Sequence, residues 1–222
     1  MFNFNFKNLE LLKQALLHRS YLNEHPEIKL EHNERLEFLG DAVLELVTTD
    51  YLFHKYPRRD EGELTAFRAA LVNAETLSGV ASKLGVNKHL LLSKGEQKDS
   101  GRARQNILAN TFEAIIGALY LDQGYETAKI FITKHLLPLT DRIVAQNLWQ
   151  DSKSLFQEQA QELVDITPAY RVISEIGPDH EKIFTVGVYL NDDLIAEGRG
   201  PSKQRAEQEA ARAGLTANGW EK

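Results

Sequence analysis

The chain has 222 residues, 42% of them apolar and 26% charged, which is enough for one large domain or two smaller ones with a proper core. It holds no cysteine, which excludes disulfides, zinc–thiolate sites and cysteine nucleophiles and fits a reducing cytoplasm. A net charge of −6 excludes a globally basic nucleic-acid binder, so any such role must rest on a local patch. The opening MFNFNFKNLE lacks a basic region followed by an apolar run, so no secretory leader is expected. No stretch approaches the ~18 consecutive apolar residues of a membrane span.

From Lys7 to about Gln146 apolar residues recur three and four apart, in LELLKQALL, RLEFLGDAVLELV, LTAFRAALV and ILANTFEAIIGALYL. Breakers separate these runs: Pro26, YPRRDEG at 56–62, LGVNKH at 84–89, SKGEQKDSGR at 93–102 and Gly124. This predicts an all-α domain over 1–147, followed by a linker at 148–151. Beyond it the texture changes. DSKSLFQEQAQELV predicts a helix capped by Asp151 or Ser152. AYRVISEIG, KIFTVGVYL and DLIAEGRG are short, β-branched and aromatic, and are separated by GPDH and NDD turns. SKQRAEQEAARAGL closes as a helix capped by Ser202. The order α-β-β-β-α over 152–222 predicts a separate α+β domain.

The run NERLEFLGDAVLELV, 33–47, is a helix with large apolar residues on most sides, yet it carries Glu34, Glu37, Asp41 and Glu45. Residues three and four apart share a helix face, so Glu34, Glu37 and Asp41 line one stripe. Like charges at i and i+4, as at Glu37 and Asp41, cost a few tenths of a kcal/mol when exposed and more where it is dry. Gly40 permits close approach of another backbone or side chain. Two readings stand: a solvated acidic stripe, the usual account of a charge run, with Arg35 as a partner, or a cation site. ILANTFEAIIGALYL adds Asn110 and Glu113 at i and i+3. If the two helices pack side by side, Glu37, Asp41, Asn110 and Glu113 could meet, and four oxygen-bearing side chains suit one or two magnesium ions. Asp122 reads as a terminal or turn residue.

HNERLEFLGDAVLELV, with LLHRSY upstream and NILANTFEAIIGALYLDQGY downstream, resembles bacterial ribonuclease III in order and spacing. The tail FQEQAQ…PAYRV…GPDHEKIFTVGVYL…GRGPSKQRAEQEAA resembles a double-stranded-RNA-binding domain. The resemblance covers nearly the whole chain. It implies a homodimeric, Mg2+-dependent endonuclease, with Mn2+ as a substitute ion, that cuts double-stranded RNA to leave 5′-phosphate and 3′-hydroxyl ends. It implies processing of ribosomal and other structured precursor RNAs, decay of messages, and a cytoplasmic location. By position it implies metal ligands at Glu37, Asn110 and Glu113, catalytic roles for Asp41 and Glu113, a dimer- or RNA-facing Glu34, and Phe38 as an apolar knob of the subunit interface. Position 110 is usually Asp in that family. Asn brings an amide oxygen but no negative charge, so metal affinity should fall. Intact activity and RNA binding with impaired cleavage both remain open on that substitution.

The same resemblance implies RNA contacts from Gln157, Glu158 and Gln161 on the first helix of the second domain, from His180 in the GPDH loop, and from Lys203 and Arg205 in the first turn of its last helix. Duplex RNA is read through 2′-hydroxyls and phosphates across the minor groove, and helix N-termini favour phosphate. A second Lys is common where Gln204 stands. Lys94, Lys98, Arg102 and Arg104 form a polar cluster before the second acidic helix, either a phosphate contact or a solvated loop. No histidine pair has zinc-ligand spacing.

Overall fold

A computed structural model describes residues 6–99, 101–178 and 182–220, and the chain divides into one unit ending at Trp149 and a second beginning at Gln150. The first unit is helical, as its 3.6-residue period requires. Its α-helices are α1 (Leu9–Ala15), α2 (Arg19–Glu24), α3 (Glu34–Lys55), α4 (Glu61–Val72), α5 (Ala74–Lys83), α6 (Arg102–Gln123), α7 (Tyr125–His135) and α8 (Thr140–Ala145). Helix α6 runs through the middle and is buried on nearly all sides from Ile107 to Leu119. Phe112, Ile115 and Ile116 meet Leu44, Phe67 and Leu71 in a single core.

Local signals set the helix ends. Asn33 is 2% exposed; its side chain donates to the Ala15 carbonyl at 3.3 Å and its backbone N–H to Leu17 at 2.9 Å, which pins the start of α3 to the end of α1. Asp60 and Glu63 form a reciprocal capping box on α4. Asp122 accepts from the backbone N–H groups of Lys7 and Asn8 at 2.7 and 2.8 Å, so this carboxylate ties down the chain that leads into α1.

The second unit has the expected α-β-β-β-α order: α9 (Ser152–Val164), β1 (Ala169–Ile176), β2 (Ile183–Leu190), β3 (Asp193–Gly200) and α10 (Lys203–Asn218). The strands form one antiparallel sheet in the order β1-β2-β3. Bulges fall between Val172 and Ser174 and between Val188 and Tyr189. Asp151 caps α9 and Ser202 caps α10. Phe156 on α9, Val188 on β2 and Ala210, Ala211 and Leu215 on α10 make a small core of their own. No helix among the described residues is long and apolar enough to cross a membrane.

Candidate active site and RNA-binding face

Helices α3 and α6 cross in direct backbone contact, and two glycines make this possible. A Cβ at Gly40 would lie 1.8 Å from the Glu113 carbonyl oxygen, and one at Gly117 would lie 2.1 Å from that of Leu36. No other residue fits either position without separating the helices. The crossing brings the acidic stripe of α3 to Asn110 and Glu113 on α6.

Electrostatics record how close these groups are. Burial, then Asp41, Glu37 and Glu45, push the Glu113 carboxyl up to about 8. Burial and then Glu34 raise the Glu37 carboxyl, a hydrogen bond from the Asn110 amide opposes them, and Asp41 adds to the rise. Glu37 and Glu113 are half-buried, whereas Asp41, Asn110 and Glu34 are exposed. The acidic groups therefore lie on an open face and not between two wholly buried helices. Their ligand atoms are hard oxygens only, a donor set suited to magnesium or manganese. Among the described residues, no three His, Cys, Asp or Glu side chains stand close enough to hold an ion as they are. The site is thus assembled electrostatically but not drawn in; magnesium keeps several waters and needs only one or two direct carboxylates.

The outer carboxylates have other partners. Glu34 faces Arg19 at 3.5 Å. Arg35 pairs with Glu31 at 3.1 Å, so it does not neutralise the stripe. Glu45, one turn beyond Asp41, is held by Arg68 of α4 at 2.8 Å. That pair spans two helices, and neither i,i+4 spacing nor composition announces it.

Helix α3 also shows an apolar face to solvent. Phe38 is 81% exposed, and Leu46 and Phe53 are exposed with it. Leu39, Phe38 and Leu121 line an open groove together with Leu11, Leu36 and His32. The residues that make α3 look like a core helix therefore divide between the core and the outside.

In the second unit Gln157, Glu158 and Gln161 all lie on the exposed face of α9. The Gln161 amide donates to Asp165, which caps α9 in the left-handed region at φ 56°, and Thr167 donates to its oxygen at 3.5 Å. Lys203 is exposed at the start of α10 and pairs with Glu175 at 3.2 Å. Arg205 is half-buried, and its N–H donates to the Ser202 cap. His180 lies outside the described residues. Of the expected loop cations, Arg102 and Arg104 lie in the first turn of α6 and not before it, and the Arg104 guanidinium donates twice to Asn87, at 2.9 and 2.6 Å.

Residues 8–140 match the Ribonuclease-III-like family and residues 152–217 match the double-stranded RNA binding motif, so the fold and site define a helical nuclease domain joined to an RNA-binding module. The chain is 50% identical over 215 residues to the Ribonuclease 3 of Carboxydothermus hydrogenoformans, covering 96% of this chain and 90% of that one. It is 46% identical to the Ribonuclease 3 of Streptococcus gordonii, covering 95% and 90%. A solved nuclease domain of ribonuclease III from Campylobacter jejuni, described for flexibility in a region involved in dimer formation, superposes with a TM-score of 0.55 at 41% identity, over 61% of this chain and 90% of that one. The chain belongs to the ribonuclease III family. Membership over nearly its whole length makes it a double-stranded-RNA endonuclease.

Proposed function

We propose that this endonuclease hydrolyses the phosphodiester bonds of duplex RNA with Mg2+, leaving 5′-phosphate and 3′-hydroxyl ends. The observation that carries this reading is the glycine-mediated crossing of α3 and α6, which sets Glu37 and Asn110 in hydrogen-bond contact and Glu113 in the field of Glu37 and Asp41. Glu37, Asn110 and Glu113 would hold the ion, and Mn2+ fits the same oxygens. When bound, a divalent cation lowers the pKa of its water and neutralises charge on the leaving oxygen. Asp41, exposed beside Glu37, orients the attacking water and accepts its proton. Glu113, which burial and its carboxylate neighbours favour in the protonated form, would have to be deprotonated to serve as a ligand, and its charge would then help to neutralise the cation.

The domain limits proposed are 1–147 for the catalytic domain, 148–151 for the linker and 152–222 for the RNA-binding domain. The outward apolar face of α3 supports a homodimer in which Phe38 is the knob and Glu34 faces the partner or the RNA. Gln157, Glu158, Gln161, His180, Lys203 and Arg205 are the proposed RNA contacts; of those among the described residues, all but Arg205 are exposed. Cytoplasmic processing of structured precursor RNAs and messages is the role that fits.

The test is incubation of a long duplex RNA with the purified chain over a magnesium series, with EDTA and single-stranded RNA as controls. Cutting of the duplex alone, dependent on magnesium, is expected. Binding without cutting at every magnesium level would overturn the proposal in favour of an RNA-binding protein impaired by the amide at Asn110.

A further inference from the structure

Arg68 stands next to the acidic site. It reaches from α4 to α3, where its Nε lies 2.8 Å from Glu45 Oε2 and a terminal nitrogen donates to Thr49 Oγ1 at 2.9 Å. Glu45 and Thr49 are one turn apart on α3, so one guanidinium grips two successive turns. Glu45 itself continues the stripe of Glu37 and Asp41 at four-residue spacing, on the helix whose Gly40 touches the Glu113 backbone. The Glu45 and Arg68 side chains are 35% and 34% exposed, so the pair is screened less than one at the open surface. A guanidinium stays charged at every working pH, and its planar fork fixes the carboxylate it holds.

We propose that Arg68 is a positioning residue for the cation site: it ties Glu45 to α4 and cancels its charge, so that a divalent cation at Glu37, Asn110 and Glu113 meets the charge of Glu37, Asp41 and Glu113 alone. This rests on the metal-site reading given above. Glu45 stands one turn beyond Asp41 on the stripe that the Gly40 crossing sets against α6 at Glu113, so the charge balance of the Glu45–Arg68 pair is felt where the ion binds. Loss of the arginine leaves one added negative charge beside the ion. Loss of the glutamate leaves one added positive charge. Loss of both restores the balance.

The experiment measures Mn2+ binding to the full chain without RNA, by electron paramagnetic resonance, for the wild type, Arg68→Gln, Glu45→Gln and the double variant. Urea denaturation in EDTA is followed alongside. Arg68→Gln is expected to tighten Mn2+ binding about three- to tenfold and Glu45→Gln to weaken it by a similar factor, with the double variant within about twofold of the wild type. A plain α3–α4 tether would instead lower the urea midpoint of all three variants without opposite shifts in Mn2+ affinity, and that result would overturn the proposal. Glu113→Gln serves as a control on the site itself. If it leaves Mn2+ binding unchanged, the metal-site reading fails, whatever the Arg68 series shows.

Discussion

Glu113→Gln keeps the size of the side chain and removes its charge. In the ion-free fold, burial and the neighbouring carboxylates hold the Glu113 carboxyl at about 8, against an ordinary value of 4.5. The folded chain thus binds this proton more tightly than the unfolded chain does. The stability contributed by the group is fully present below pH 4.5 and is lost as pH rises through about 8. At about 1.4 kcal/mol per unit, the loss by pH 7 has a ceiling of roughly 3 kcal/mol. The side chain is only half-buried, and solvent screening brings the net loss to about 1–2 kcal/mol. Glutamine has no such dependence. Urea denaturation in EDTA, at about pH 5, 7 and 8.5, measures the difference between the two proteins. Trp149 reports on the helical unit, since it packs edge-on against Phe67 at 4.8 Å; a Trp220→Phe background removes the other signal. The variant should gain on the wild type as pH rises, and Mg2+ should reverse that gain by stabilising the wild type alone. A difference that stays flat with pH would refute the reasoning, because it would mean that Glu113 is charged and solvated in the fold.

Three further perturbations address the crossing, the outer face and the RNA contact. Gly40→Ala places a methyl 1.8 Å from the Glu113 carbonyl oxygen and drives the helices apart; it should cost about 1–3 kcal/mol despite the better helix propensity of alanine, and an unchanged urea midpoint would contradict the contact. Phe38→Asp charges a ring that is 81% exposed and should shift the chain from dimer to monomer at micromolar concentration in sedimentation equilibrium; a variant that remains dimeric removes Phe38 from the interface. Lys203→Gln should weaken duplex binding in EDTA several-fold and reduce the salt slope by about one, whereas an unchanged slope would mean that its ammonium stays with Glu175.

Much of this fold is legible because each half has its own period. Apolar residues three and four apart announce α3 and α6, and β-branched runs divided by turns announce the sheet. The caps Asp151 and Ser202 are visible in sequence because a capping side chain acts within three residues of itself. The glycine of LEFLGDAV can be read as a place of close approach, but its counterpart Gly117 cannot be matched to it without knowing which helices cross. Periodicity also cannot tell an apolar face that meets the core from one that meets solvent or another subunit, so Phe38 and Leu46 look like core residues. For the same reason Asp41 and Asn110 seem enclosed in sequence, although both are exposed. The Glu45–Arg68 pair joins residues on different helices and leaves no local mark at all.

Asn110 gives the site a particular balance, and Asn110→Asp tests it. The Asn110 amide donates a hydrogen bond to the Glu37 carboxylate, which favours the charged form of Glu37 against burial and the repulsion of Glu34 and Asp41. An aspartate can only accept, so it would replace that bond with a further repulsion. The ion-free fold should then lose about 0.5–1.5 kcal/mol, the usual worth of one hydrogen bond at a partly exposed position. The same change adds a full negative charge where the amide oxygen offers only a dipole, so the magnesium concentration for half-maximal cleavage should fall about three- to tenfold. The two effects have opposite signs and one cause: the amide calms the carboxylates while the site is empty and attracts the cation less when one arrives. Denaturation in EDTA reads the first effect, and a magnesium titration of duplex cleavage reads the second. If Asn110→Asp instead raises cleavage many-fold at saturating magnesium while the half-maximal concentration stays fixed, residue 110 acts on the chemical step and not on ion binding, and the account of Asn110 as a weakened ligand is wrong.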